Sequence, residues 1–303
     1  MINPWPHRGW KWCSGILLLG LVLVGCRAAA EDQDASPPVE ATSVGDEACA
    51  SCHAEIVETY RLTNKALAIT RFDPATAPER FDEAVVHNTA FRLSYEAFVR
   101  GDTLYQREFR EDAEGRVIHE RIHRADYVIG SGNATRSYLM QVEGYLTEMP
   151  LTWYVHRGQW DMSPGYREAN DRFDRQINLL CVTCHNGPVG HSRFTQNHYT
   201  DLPLGITCER CHGPASAHVA ARQAEEPLGE NQPDPTIVNP AHLDRDARLS
   251  ICQQCHLAGV IVFKPGEDPT TFLPGKPLAA HRTVFVPTGE LTDPEAVGID
   301  SHP

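Results

Sequence analysis

A chain of 303 residues, 41% hydrophobic and 22% charged, is globular in composition and long enough for one large domain or two small ones. Its formal net charge of −13 argues against nucleic acid as a partner and toward a partner surface carrying a basic patch.

The N-terminus reads as a targeting segment. Arg8 and Lys11 give a positive start, and Gly15 to Gly25 form an apolar run of 11 residues, too short to span a bilayer as a helix. The run ends in Leu23-Val24-Gly25-Cys26, which resembles a bacterial lipobox. That resemblance implies that residues 1–25 are a lipoprotein signal peptide and that Cys26 carries lipid. The competing reading is an ordinary signal peptide with a chance cysteine. Either way the mature chain is exported, and the lipobox places it on the periplasmic side of a bacterial membrane. Loss of the leader leaves 25 basic and 40 acidic residues, a net of −15.

Residues 26–45 are acidic and rich in Ala and Pro, a flexible tether with a random-coil reach of about 25 Å. A helix follows, with Asp46 as its N-cap and Ile56, Val57 and Tyr60 as its apolar stripe. From about 80 to 175 the pattern is β-like. FRLSYEAFVRGDTLYQREF predicts two strands around Arg100-Gly101-Asp102, and YLMQVEGYLTEMPLTWYV two more around Glu143-Gly144. A strand between them turns Ile118 and Ile122 inward and leaves His119 and His123 toward solvent. After residue 175 the chain reads as short helices and loops, with 224–235 a loop and 287–303 an irregular tail.

Ten cysteines punctuate this chain. Cys13 leaves with the leader and Cys26 is the lipid site. The other eight lie in four pairs, CASCH, CVTCH, CERCH and CQQCH. Disulfides would be the first guess for an exported protein, and zinc ribbons also use paired CxxC knuckles. Neither needs a histidine after every pair. With His at 15 of 303 residues, four such hits by chance have a probability on the order of one in 10⁵. C-x-x-C-H is the attachment motif of c-type haem. On a helical turn, thiols at i and i+3 lie on one face, where they can form thioethers to the two vinyl groups of one porphyrin edge. The next residue then reaches the iron. The expectation is therefore four covalently attached haem c groups. Cys49 and Cys52 hold the first with His53 as proximal ligand, and Cys181 and Cys184 the second with His185. Cys208 and Cys211 hold the third with His212, and Cys252 and Cys255 the fourth with His256.

A second histidine follows the third motif, in CERCHGPASAH. His218 is too near His212 to reach the far face of the same porphyrin, so it is assigned as distal ligand to a neighbouring haem, against the alternative of a surface histidine. His191, His198, His242 and His281 fall in the haem-dense half and are further distal candidates; His302 is terminal. The predicted fold class is α+β: short helices and loops around four haems over residues 46–286, with an antiparallel β insertion between haem 1 and haems 2–4.

GDEACASCHAEIVETY, YVIGSGNATRSYL, WDMSPGY, LPLGITCERCHGPASAHV and NPAHLDRDARLSICQQCHL resemble the multihaem cytochrome c-552/4 family, over roughly residues 44–286. The resemblance implies an exported electron-transfer protein with largely bis-histidine haems. Some members act in or beside nitrogen-oxide chemistry, and longer ones continue into tetratricopeptide repeats. Many relatives place a histidine in the helix after the first motif, where Lys65 stands here. Haem 1 is then Lys65-ligated, ligated from elsewhere, or open. The chain stops at Pro303 where longer relatives go on, so it reads as truncated. Three functions compete: an electron carrier between redox partner proteins, a haem oxidoreductase acting on a small nitrogen or oxygen compound at an open iron, and a non-catalytic binding module. No catalytic residue is identifiable, and the carrier is preferred.

Overall fold

A computed structural model describes residues 41–229, 232–257 and 259–286. The leader, Cys26, most of the tether and His302 lie outside these. Among the described residues no helix is long and apolar enough to cross a membrane.

The described chain is mixed α and β, and every strand pairing is antiparallel. It opens with α1 (Asp46–Tyr60), which kinks at His53 (φ −118°, ψ 37°). Asp46 does not cap this helix. Gly45 takes the cap position with φ 78°, and the Glu209 carboxylate accepts from the Val44 and Gly45 N–H groups at 2.9 and 3.0 Å. A carboxylate from another segment thus satisfies donors that a helix start leaves orphaned. The apolar stripe is also narrower than the pattern suggests: Val57 is buried, whereas Ile56 is exposed.

Eleven strands follow: β1 (Ile69–Thr70), β2 (Val85–Asn88), β3 (Leu93–Arg100), β4 (Thr103–Glu111), β5 (Val117–Arg124), β6 (Tyr127–Ile129), β7 (Thr135–Val142), β8 (Tyr145–Glu148), β9 (Leu151–Tyr154), β10 (Gln159–Met162) and β11 (Arg175–Gln176). One sheet runs β2-β3-β4-β5; the other runs β1-β6-β7-β8-β11, with β9 and β10 joined through β7. The two hairpins expected from RGDT and EG are present. Glu143 and Gly144 both have positive φ, the two-residue turn whose twist matches that of its strands. A core of Tyr95, Leu104, Tyr138, Met149, Trp153, Trp160 and Phe173 fills the β region.

The face of β5 is a correction. Ile118 is 62% exposed, whereas Ile122 is half-buried as expected, and so are His119, Arg121 and His123. The cause is Glu108 on β4, which is fully buried and accepts from Tyr95 Oη at 2.9 Å and Arg172 Nε at 2.7 Å, and bonds His119 Nε2 at 2.8 Å. Phe173 completes the pull, its ring 4.5 Å from that of His123 and 5.3 Å from the Arg121 guanidinium. Here the polar face has the partners, so it turns inward.

Burial alone would raise the Glu108 carboxyl, but hydrogen bonds from Arg172, His119 and Tyr95 outweigh it and bring its pKa down to about 2. A depressed carboxylate stabilises the fold above its unfolded pKa, and the contribution is lost as pH falls through the folded value. Denaturant midpoints should therefore drop between about pH 4.5 and 2, by a contribution of about 3 kcal/mol. Glu108→Gln should lower stability at pH 7 and flatten that acid limb; an unchanged limb would remove Glu108 as its source.

The remaining elements are α2 (Leu179–His185), β12 (Gly190–His191), β13 (Tyr199–Asp201), α3 (Glu209–His212), α4 (Ser216–Gln223), a 3-10 turn (Pro240–His242), α5 (Arg245–His256), β14 (Val260–Phe263), α6 (Leu278–His281) and β15 (Arg282–Phe285). Two small ladders, β12-β13 and β14-β15, stand where only helices and loops were expected. A second core, of Ile69, Tyr127, Leu139, Leu146, Ile177, Val182 and Tyr199, ties the β region to α2. That contact positions the second CxxCH motif.

Candidate cofactor site

All four CxxCH motifs lie on helices: α1, α2, α5, and for the third motif α3 with Cys208 just ahead of it. None of their eight cysteines is in a disulfide. The helical turn sets each thiol pair on one face. His53, His212 and His256 are exposed on the polypeptide.

The motifs meet in pairs. Cys49 of motif 1 and Cys208 of motif 3 have their sulfurs within 4.8 Å of each other and of an Asp46 carboxylate oxygen. Asp46 also accepts from the Cys208 N–H at 2.9 Å. Cys184 of motif 2 reaches motif 4, donating to the Gln254 carbonyl at 4.0 Å, and the neighbouring Cys184 thiol together with burial pushes the Cys255 thiol well above its ordinary range.

The third motif is the hub. Glu209 holds the chain entering α1 and also accepts from the Ala215 N–H at 3.0 Å. Arg210 is buried and donates from Nη2 to the Asn186 and Gly187 carbonyls at 3.2 and 2.8 Å, just past motif 2. Gln254, inside motif 4, donates to the Arg210 carbonyl at 3.0 Å. Arg282 donates to the Gln253 and Gln254 carbonyls. Burial lowers the pKa of both arginines from the ordinary value. Glu209, Arg210, Gln254 and Arg282 were not picked out from the sequence. The signal available was that CERCH carries charge at both variable positions of a motif that must be buried.

The histidines fit an iron porphyrin. The ring centroids of His53 and His218 are 6.5 Å apart, with 13° between the ring planes. With metal–imidazole bonds of about 2 Å, two imidazoles on opposite sides of one iron have centroids about 6.3 Å apart. His218 Nδ1 is held by Asp234 Oδ2 at 3.0 Å, the carboxylate support that metal-bound histidines commonly have on their second nitrogen. His212 Nδ1 sits 2.8 Å from the Val238 carbonyl, and His185 Nδ1 sits 3.4 Å from that of Ala68. Ile56, Leu62, Phe194, Val260 and Phe285 are exposed on segments flanking the motifs, apolar area of the kind a porphyrin face covers.

The other candidates fare differently. Lys65 is exposed, and its charge acts on the thiol of Cys211, in motif 3. His191 and His198 line a cavity of about 580 Å³ beside the start of α2. His198 packs over Gly144, where a Cβ would come within 2.6 Å of its Nε2, and edge-on to Tyr145 at 4.9 Å. His242 is exposed. His281 is buried, with Nε2 bound at 2.9 Å to the Asp268 carbonyl and 3.0 Å from Thr271 Oγ1.

Comparison with known proteins adds three findings. Residues 156–213, carrying the second and third motifs, match the family model described as cytochrome c554 and c-prime. The chain is similar to the crystal structure of the outer cell wall cytochrome OcwA, with 22% identity and a TM-score of 0.49 over 80% of this chain; it spans 45% of that one. No curated protein matches. The family match, over the stretch that holds two of the four motifs, supports a multihaem c-type cytochrome that binds haem c covalently.

Proposed function

We propose that this chain is an exported, lipid-anchored tetrahaem c-type cytochrome of the c-552/4 type that passes electrons between redox partner proteins. The observation that carries the reading is the pairwise meeting of motifs, Cys49 with Cys208 and Cys184 with the Gln254 carbonyl inside motif 4. Motifs this close bring the attachment edges of different porphyrins together, which suits transfer between them.

Each residue has a role in this reading. The eight motif cysteines form the thioethers, and His53, His185, His212 and His256 are the proximal ligands. His218, braced by Asp234, is the distal ligand of the first iron. Lys65 is then not needed at haem 1, and the missing family histidine leaves no open iron there. When bound, haem c supplies a one-electron couple; the residues supply its position and its field. Cys26 carries the lipid, the residues ahead of Thr42, which pairs with Ser216, serve as the tether, and the acidic surface meets a basic patch on the partner.

The test is film voltammetry of the matured protein. Reversible one-electron couples for all four haems support the carrier. Redox silence overturns it, and a carbon-monoxide-binding iron with turnover of a small nitrogen or oxygen compound would make the protein an enzyme. Lys65→Ala is expected to leave the electron paramagnetic resonance (EPR) signal of the His53–His218 haem unchanged; its loss would return Lys65 to the ligand set.

A further inference from the structure

The two thiol pairs sit in opposite electrostatic surroundings. At the Cys184–Cys255 contact stand two guanidiniums, Arg210 and Arg282, 8% and 4% exposed. Arg282 Nη2 and the Cys184 thiol both reach the Gln254 carbonyl, inside motif 4, and Arg210, itself inside motif 3, acts on the Cys211 thiol there as well as on Cys184 and Cys255. Among the described residues neither arginine has a carboxylate within ion-pair distance. Arg210 bonds the Asn186 and Gly187 carbonyls and Arg282 those of Gln253 and Gln254, while Arg282 Nε has no partner. A buried cation without a counter-ion is costly and is retained where a negative charge forms beside it. At the Cys49–Cys208 contact the surroundings are acidic. An Asp46 oxygen lies within 4.8 Å of both sulfurs, and Glu209, 4% exposed, acts on Cys49 while bonding only backbone N–H groups.

We infer that these side chains polarise the protein electrically: Arg282 raises the reduction potentials of the haems on motifs 2 and 4, Asp46 lowers those on motifs 1 and 3, and at motif 3 the charges of Glu209 and Arg210 offset one another. This rests on the haem reading above. Reduction adds one negative charge to a haem, which a neighbouring guanidinium favours and a carboxylate opposes. The electron's resting place is therefore the 2/4 pair. Internal transfer oxidises a ferrous iron of the 1/3 pair and reduces a ferric iron of the 2/4 pair, with no proton moved. Electrons from a one-electron donor protein would enter at 1/3 and leave from 2/4.

The experiment is a potentiometric titration of the four-haem protein, followed optically and by EPR, with variants Arg210→Gln, Arg282→Gln and Asp46→Asn. Asparagine keeps the oxygen that accepts the Cys208 N–H and removes only the charge. Arg282→Gln is expected to shift the ferrous-to-ferric ratio of two haems about tenfold toward ferric at fixed potential, or ~59 mV per one-electron couple, and Arg210→Gln to move the same two together with the motif 3 haem. Asp46→Asn should move the other two the opposite way. Arg210→Lys and Arg282→Lys keep the charge and should titrate like the parent, which separates the field from loss of packing. Unmoved midpoints, a haem moved by both Arg282→Gln and Asp46→Asn, or lysine variants that fall with the glutamines would overturn the inference while leaving the haem assignment intact. Fewer than four haems in the parent would overturn the assignment and the inference with it.

Discussion

His218→Ala is expected to convert one haem, about a quarter of the total, from low-spin to high-spin and to create one carbon-monoxide-binding iron in the ferrous protein. The basis is the 6.5 Å separation of the His53 and His218 ring centroids at nearly parallel ring planes, with the second nitrogen of His218 fixed on Asp234. The effect is all-or-none because no other described histidine ring lies within stacking distance of His53. Asp234→Asn is expected to do less. It removes the carboxylate that orients the ring, and such supports typically account for 10–100-fold in metal affinity. Its signature is a ligand that titrates off more readily, rather than one that is missing. An EPR spectrum of His218→Ala identical to the parent would place the sixth ligand of that haem elsewhere.

Removing the third attachment, with Cys208→Ser and Cys211→Ser together, is expected to cost more stability than removing the fourth with Cys252→Ser and Cys255→Ser. The four-residue α3 is too short to hold itself, since a helix of that length is unstable without tertiary anchoring. Thioethers at Cys208 and Cys211 would fix Glu209 and Arg210, and those two side chains reach the chain entering motif 1 and the carbonyls leaving motif 2. Releasing a buried charged group from its partners costs about 3–5 kcal/mol, so a fall in Tm of roughly 10 °C or more is expected for a domain of this size. Motif 4 rides on the twelve-residue α5, whose own N-cap, Asp244, accepts from the Ala247 N–H at 2.9 Å. Equal losses in the two variants, by thermal melts at matched haem content, would deny the third motif its role as hub.

The cofactor was legible in the sequence because its chemistry is written locally. Two thiols and an imidazole within five residues serve one porphyrin edge, and the repeat made chance untenable. The hairpins were legible for the same reason, as in Glu143-Gly144, where turn residues demand positive φ. What was not legible depends on long-range contacts. Glu209 meets Gly45 across 164 residues, and nothing near either position announces it. The neighbour of His218 is motif 1, 165 residues away, which no spacing rule supplies. β5 was misread because hydrophobic alternation assumes that apolar residues take the inner face. There the buried partners are Glu108 and Phe173, so His119, Arg121 and His123 turn in. Ile56 was placed in the core of α1 on pattern alone; it stands beside the motif, on the polypeptide's surface.

The central claim is that four haems are bonded through sulfur to this one chain. Its most direct test is a pyridine haemochrome assay of protein matured in a host with haem-attachment machinery, paired with the intact mass of the denatured chain. The account predicts four haems per polypeptide, retained after denaturation, with none of the eight motif thiols free to alkylation. A denatured mass without haem, or with eight alkylated cysteines, would contradict it.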